Sequence, residues 1–504
     1  MDTILIGAHP LTVEGVRAVA LGARVELSAD AHARIRAGRA VVEAALTAGK
    51  PVYGLNTGVG HLKDTRLPDD MLCRAQGTLV RSHAGGIGAP LPTAVVRAAL
   101  VTRVNGISRG GSGASPAVAE ILVAMLNAGV HPVVPGLGSV GAADLPQMAA
   151  IGLVAMGEGR AEYRGHVLQG AEALRRAGIV PLRLQPKDGL ALISANGVSL
   201  GHGALVVLRA EDMARTADVA ASLSLEAVHG NPSSILPAVG EAKPYPGQLA
   251  ALAHMREVLE GSYLFRPDGP SSVQDPLSFR VAPQVHGALR EFTTFGRHAL
   301  ETELDSMSDN PLVRPDGDGL IHNGNFHPIV AAIALDALRI AVAHVAQLSE
   351  RRMSHLWDAF FASAPDTVTW QPGGTEEYFG LWLRYAAAAQ LAELRLLAGP
   401  ATLDVPPLDM EIEDHATNAP LTVRTTASAL DLLESLLSIE LLLARDVISL
   451  SRSWLTLGTG TERMLRTLDA VLSERREDRS PAAIHDAVRD EIRRGWDGWR
   501  TGSA

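Results

Sequence analysis

The feature that most constrains the fold is a helical hydrophobic period that runs almost unbroken along the chain. In residues 31–48, apolar positions recur at three- and four-residue steps, the spacing that places them on one face of an α-helix. Ser28 stands in front of this stretch as an N-cap, and Gly49-Lys50-Pro51 ends it. The same pattern fills 94–104, 116–127, 145–158, 205–225, 248–259, 283–306, 330–353, 378–398 and 427–456. Several of these exceed the usual length of a globular helix, so the chain is expected to be mainly α with a central bundle of long helices. Short β-prone pieces at 13–25 and 159–168 predict small N-terminal hairpins, and no alternation of strand with helix supports a parallel sheet. The expected division is an N-terminal domain over 1–200 and a long-helix domain over 201–504.

Composition narrows the function classes. In 504 residues, 47% hydrophobic and 20% charged, a large buried core is available. A formal net charge of −10 and the lack of a lysine/arginine block argue against nucleic acid as a partner. The arginines within 475–479 and 489–500 alternate with Asp and Glu, as on a solvated helix face. A single cysteine, Cys73, excludes an intrachain disulfide and a zinc thiolate cluster, and fits a reducing cytoplasm. The N-terminus, Met1-Asp2-Thr3-Ile4, has no basic segment followed by an apolar one, and no uninterrupted apolar run of about 18 residues follows, so neither export nor a membrane is expected. No metal site is expected either. The 17 histidines form no His-x-x-x-His pair beside a carboxylate, and Asp404, Asp409, Glu411, Glu413 and Asp414 read as readily as a solvated acidic loop. Phosphate-binding and nucleotide fingerprints are absent.

The motifs lie at glycine-, proline- and asparagine-rich breaks between helices, where polar side chains can converge over a rigid scaffold. In order they are Tyr53-Gly54-Leu55-Asn56-Thr57-Gly58-Val59-Gly60, Ser82-His83-Ala84-Gly85-Gly86, Gly138-Ser139-Val140-Gly141-Ala142-Ala143-Asp144-Leu145, Gln274-Asp275-Pro276-Leu277-Ser278-Phe279-Arg280, Ser308-Asp309-Asn310-Pro311, Gly324-Asn325-Phe326-His327 and Glu413-Asp414-His415. One glycine-rich loop would be weak, but this ordered series resembles the aromatic amino acid ammonia-lyase family through most of the chain. The resemblance implies that family's fold and a homotetramer whose active sites draw loops from three subunits.

One loop departs from the family. There an Ala-Ser-Gly tripeptide cyclises and loses water to form a methylidene-imidazolone electrophile, which needs a serine hydroxyl and a glycine nitrogen unhindered by a Cβ. Ala142-Ala143-Asp144 is one residue shorter and has no hydroxyl. Ser139 precedes the β-branched Val140, and Ser115 precedes Pro116, which has no amide hydrogen. No self-made electrophile, and hence no cofactor, is expected.

The resemblance carries roles onto single residues. Tyr53 is the expected catalytic base, provided that nearby positive charge or hydrogen bonding lowers its pKa from about 10. Arg280 is expected on the substrate carboxylate, for which its two parallel donors are matched. Asn196, Gln274, Asn325 and Phe326 are expected to orient the substrate, although the segment leading to Asn196 is two residues longer than the family spacing. Leu277 stands where the family has a tyrosine. His83 and Glu413 resemble the histidine-specific members, and such a pair complements the donor and acceptor nitrogens of an imidazole. Asp414 and His415 either support that contact or cap the next helix.

Without an electrophile, ammonia is a poor leaving group, whereas a trimethylammonium departs as neutral trimethylamine without any adduct. The expectation is therefore a cofactor-independent lyase of the ergothionase type. It would remove trimethylamine from a histidine betaine, taking ergothioneine to thiourocanate or hercynine to urocanate. Tyr378, Phe379, Trp382, Glu376 and Glu377 are candidates for the quaternary ammonium pocket. The alternatives are a catalytically silent homologue that binds or regulates, and a biosynthetic enzyme acting on another activated amino acid derivative. A conventional histidine ammonia-lyase ranks last.

Overall fold

The computed structural model describes residues 3–317, 319–364, 378–450, 455–474 and 478–495. The chain is mainly helical, with a few short strands, and its longest helices are Gly197–Ala227, Ala282–Leu304, Ile329–Ser363 and Ala419–Ser449. Local chemistry sets the boundaries. Ser28 Oγ accepts the Ala31 N–H at 3.0 Å and opens the helix Ala29–Ala48. Gly49, at φ 68°, closes it in the left-handed conformation that a residue without Cβ adopts freely. Pro116, Pro246 and Pro481 begin helices where no amide hydrogen is needed.

Residues 13–25 depart from the expected hairpin. Val13–Ala20 is a helix capped by Thr12, and Val13, Val16, Val19 and Ala20 form its buried stripe. Only Arg24–Leu27 is strand, paired in parallel with Thr3–Ile6. The helical spacing of the valines outweighs their β-branching. The second expected hairpin is present: Arg160–Tyr163 pairs antiparallel with His166–Gln169, and Val130–Pro132 adds a third strand.

The chain forms two compact units, each discontinuous in sequence. The first comprises Met1–Leu208, Gly296–Leu335 and Pro400–Arg424, and the second Arg209–Phe295, Asp336–Gly399 and Thr425–Ala504. The first unit thus runs past the expected boundary at residue 200 and takes in two later segments.

At the centre of the first unit, the helix Thr93–Ser108 is buried on nearly every side. Its polar residues are partnered inside. Arg97 donates to Val19 O at 2.7 Å and Leu126 O at 2.9 Å, and Asn105 donates to Leu304 O at 2.7 Å. Arg103 pairs with Asp309 and also donates to Ala191 O. These bonds satisfy groups that would otherwise cost a desolvation penalty, and they tie the loop 308–311 to the core. Gly38 packs so tightly that a Cβ would lie 2.1 Å from Gly110 O.

In the second unit, buried charges link the long helices. Asp218 accepts from His254, His286 and Arg290 at 2.8, 2.8 and 2.5 Å. Arg352 meets Glu440 at 2.6 Å with both side chains fully buried. Two stretches, Asp188–Ala227 and Ile329–Ser363, are long and apolar enough to cross a membrane by length and composition; 89% and 61% of their apolar windows are buried, as in core helices.

Candidate active site

The Tyr53 loop is held by its own side chains. Asn56 Oδ1 accepts the Val52 N–H at 2.7 Å and Asn56 Nδ2 donates to Lys50 O at 2.9 Å, closing a turn that projects Tyr53. Gly54 sits at φ 62°, where a Cβ would meet Leu190 Cδ2 at 2.4 Å. The Tyr53 hydroxyl accepts the Gly60 N–H at 3.0 Å. This tyrosine lines a cavity of the first unit with His83, Ala143, Phe326, Asp409 and Glu413.

His83 ends the helix Leu72–His83, and its Nδ1 lies 2.8 Å from Leu79 O. A carbonyl only accepts, so Nδ1 carries the hydrogen and Nε2 is left for the cavity. Asp409 and Glu413 come from one tight turn, in which Leu408 and Glu413 exchange backbone hydrogen bonds at 2.8 and 3.2 Å. Asp409, Met410 and Glu411 have φ of 48°, 56° and 68°. Such left-handed values cost a non-glycine residue roughly 1–2 kcal/mol each. His61 anchors the turn: its backbone N–H and ring Nδ1 meet the Asp409 carboxylate at 2.9 and 2.5 Å.

The loop 138–144 forms another wall. Asp144 is fully buried; it accepts from Ser199 N and Ser199 Oγ, both at 2.7 Å, and from Ser139 Oγ at 3.2 Å. Burial outweighs these bonds and pushes its carboxyl up to about 6. Ala143, at φ 58°, donates its N–H to Phe326 O at 3.2 Å, and the Asp144 N–H goes to Ala195 O at 2.8 Å.

The electrostatics run against one expectation. Burial raises the Tyr53 pKa, the Gly60 N–H opposes the shift, and Glu413 and Asp409 add to it. Within one chain, therefore, Tyr53 is not poised as a phenolate. Glu413 is raised by burial and by Asp409, partly offset by His83. For Asp409, burial works upward, but the bonds from His61 and the charges of His61 and His83 hold it below the usual range.

Tyr53, His83, Phe326 and Glu413 are thus brought together, and other expected residues are not. Asn325 donates weakly to Met307 O at 3.4 Å on an exposed turn beside Phe326. Asn196 is 2% exposed near the loop 138–144, and neither atom of its amide finds a partner among the described residues. Gln274 and Arg280 line a different cleft, in the second unit, with Asn231 and Asp275. With the Gln274 oxygen turned towards it, Arg280 donates to it at 2.8 and 3.1 Å. Tyr378, Phe379 and Trp382 also belong to the second unit, where Tyr378 stacks edge-on to Phe360 at 4.9 Å; Glu376 and Glu377 lie outside the described residues. His415 meets His327 ring to ring at 3.0 Å. Among the described residues, no group of three or more His, Cys, Asp or Glu could hold a metal. Sequence reasoning did not foresee that Asp409 lines this cavity or that His61 holds it; no local spacing signals their contact.

The aromatic amino acid lyase family model matches residues 11–470. The chain belongs to the aromatic amino acid lyase family. A histidine ammonia-lyase of Anaeromyxobacter sp. (strain K) is 40% identical over 462 residues, 89% of this chain and 91% of that protein. The crystal structure of histidine ammonia-lyase from Trypanosoma cruzi superposes with a TM-score of 0.88 at 32% identity, over 98% of this chain and 94% of the other. Ergothionase from Treponema denticola, in complex with desmethyl-ergothioneine sulfonic acid, gives 0.90 at 32% identity, over 98% and 99%.

These findings overturn the expected elimination of trimethylamine from a histidine betaine. Relatives at 37–40% identity are histidine ammonia-lyases, the activity that sequence reasoning ranked last. That reasoning inferred the leaving group from a missing electrophile, and none of the described residues that line the cavity selects a quaternary nitrogen over a primary one.

Proposed function

We propose that this protein is a carbon–nitrogen lyase that removes ammonia from histidine or a close histidine-like α-amino acid, leaving a conjugated acrylate. The observation that carries the reading is the cavity in which Tyr53, His83 and Glu413 meet. A tyrosine at the β-carbon and an imidazole-complementary pair opposite it are what such an elimination needs. The histidine ammonia-lyases among its relatives support the choice of substrate class. In the reaction, the base takes a β-proton, the C–H electron pair becomes the new double bond, and the α-ammonium leaves as neutral ammonia with the C–N pair.

The proposal includes independence from the family's methylidene-imidazolone. The loop does not fit the group: residues 142–144 carry no hydroxyl, and the amide nitrogens of Ala143 and Asp144 are both engaged with carbonyls. Ser139 Oγ is held between Ala143 O and Asp144 Oδ1, each at 3.2 Å. The work therefore falls to the chain's own side chains. Assembly into a homotetramer with shared sites completes the reading: a carboxylate clamp is needed, and among the described residues no arginine or lysine lines the Tyr53 cavity. A cytoplasmic location accords with it.

The test is to incubate the purified protein with histidine and follow ammonia together with the ultraviolet absorption of the acrylate. Product formation that falls about 10²- to 10⁴-fold in Tyr53→Phe is expected. Intact mass should equal that of the unmodified chain. A mass two waters lighter would overturn the cofactor-free part alone, and absence of ammonia would overturn the lyase itself.

A further inference from the structure

We propose that Asp409 is a specificity-determining residue of the Tyr53 cavity, which acts with Glu413 to select a substrate ring in its cationic, doubly protonated form. The inference rests on the lyase reading and adds the protonation state of the ring.

The first argument is donor and acceptor matching. The groups facing Asp409 across the cavity and its rim are Tyr53, His61, His83 and Glu413. His83 has committed its Nδ1 hydrogen to Leu79 O, so in its neutral form it offers a lone pair at Nε2. The Glu413 carboxylate has no hydrogen-bond partner among the described residues, and Asp409 retains unused lone pairs beside its two bonds to His61. The wall therefore consists largely of acceptors. A neutral imidazole would turn its own lone pair towards one of them, whereas an imidazolium presents two N–H donors and satisfies both sides.

The second argument is the effort with which the chain places Asp409. The turn that carries it holds three successive left-handed residues, a strain that persists only where surrounding contacts fix it. Gly60 leaves the space that the carboxylate occupies, since a Cβ there would lie 1.8 Å from Asp409 Oδ2. Among the described residues, no lysine or arginine lines the cavity to neutralise the two carboxylates. With His83 in its neutral form, the substrate ring brings the balancing positive charge.

A cationic ring also supplies what the loop lacks. As the base takes the β-proton, the C–H pair forms a double bond to the ring carbon and the ring nitrogen cation is neutralised. When the C–N bond breaks, ammonia leaves with its pair and the ring electrons return to form the acrylate, restoring the cation. The same charge offsets Asp409 and Glu413 around Tyr53, which otherwise hold its proton in place.

The experiment uses imidazolepropionate labelled with ¹³C in the ring, which lacks the leaving amine, bound to the full-length protein and titrated by NMR. The bound ring should titrate about one unit or more above the ordinary imidazole value near 6.5, equivalent to tenfold tighter binding of the protonated form. Asp409→Asn and, separately, His61→Leu should each reduce that shift by at least half. A bound ring that titrates at or below its free value overturns the assignment, and that reading needs the wild-type protein only. An undiminished shift in folded variants also overturns it. A shift without ammonia release from histidine would leave Asp409 as assigned and sink the lyase reading. No binding at all would sink both.

Discussion

The Arg103 guanidinium meets the Asp309 carboxylate at 2.7 Å, with the two side chains 1% and 2% exposed. The pair couples the buried helix Thr93–Ser108 to Asn310, which lines the cavity. Removing Arg103 strips the buried Asp309 carboxylate of its hydrogen-bonded ion pair, so Arg103→Ala should destabilise the fold by about 3–5 kcal/mol. Chemical denaturation measures this. Arg103→Ala with Asp309→Ala should cost less than the sum of the single changes.

Asp144 sets a pH dependence. Its carboxyl is raised by burial from the ordinary 3.8 to about 6. The folded state therefore binds this proton more tightly than the unfolded chain. The resulting stabilisation is fully present below about pH 3.8 and is lost as pH rises to about 6, on the order of 2–3 kcal/mol. Asp144→Asn keeps an acceptor for the Ser199 N–H and removes the titration. Urea midpoints of the wild type minus those of the variant should fall between pH 4 and 6 and level off above. A flat difference would show that the carboxyl titrates normally.

Gly60→Ala should damage the site more than the fold. The new methyl would collide with Asp409 Oδ2 at a residue whose φ is 57°. The left-handed backbone costs about 1–2 kcal/mol, while the displaced turn carries Glu413 out of place and should reduce kcat/KM by at least tenfold. Adding Asp409→Gly removes the collision and should restore part of the stability. Thermal unfolding and acrylate formation read the two effects separately.

His83→Phe tests the ring contact. A phenyl in place of an imidazole leaves only the carboxylates Asp409 and Glu413 to meet the substrate ring. Histidine turnover should drop about 10- to 100-fold in kcat/KM, in line with the loss of a buried hydrogen bond to a polar group. Steady-state kinetics on histidine and phenylalanine decide it. Equal losses on both substrates would remove His83 from ring recognition.

What the sequence made legible follows from the range of each signal. Helices such as Ala29–Ala48 carry their period, cap and stop within neighbouring residues. Val13–Ala20 was misread because β-branched composition and helical spacing disagreed, and burial settled the conflict for spacing. Tyr53, His83 and Glu413, which line one cavity, each sit in a local motif. The contact of Asp409 with His61 spans 348 positions and leaves no pattern in either segment. The upward shift of Tyr53 was equally hidden, because it arises from burial and from two carboxylates distant in sequence. The assignment of Arg280 and Gln274 to a second cleft depends on which helix ends join which unit, and no spacing encodes that.

The turn at Asp409, Met410 and Glu411 also makes this protein easier to improve in one respect than in another. Met410 is 79% exposed at a φ of 56°, so glycine there would relieve the backbone and raise the unfolding free energy, by up to about 1 kcal/mol after its own entropy is counted. The same change would let the carboxylate beside it wander. Selection for heat resistance alone would therefore drift towards a sturdier and less discriminating protein.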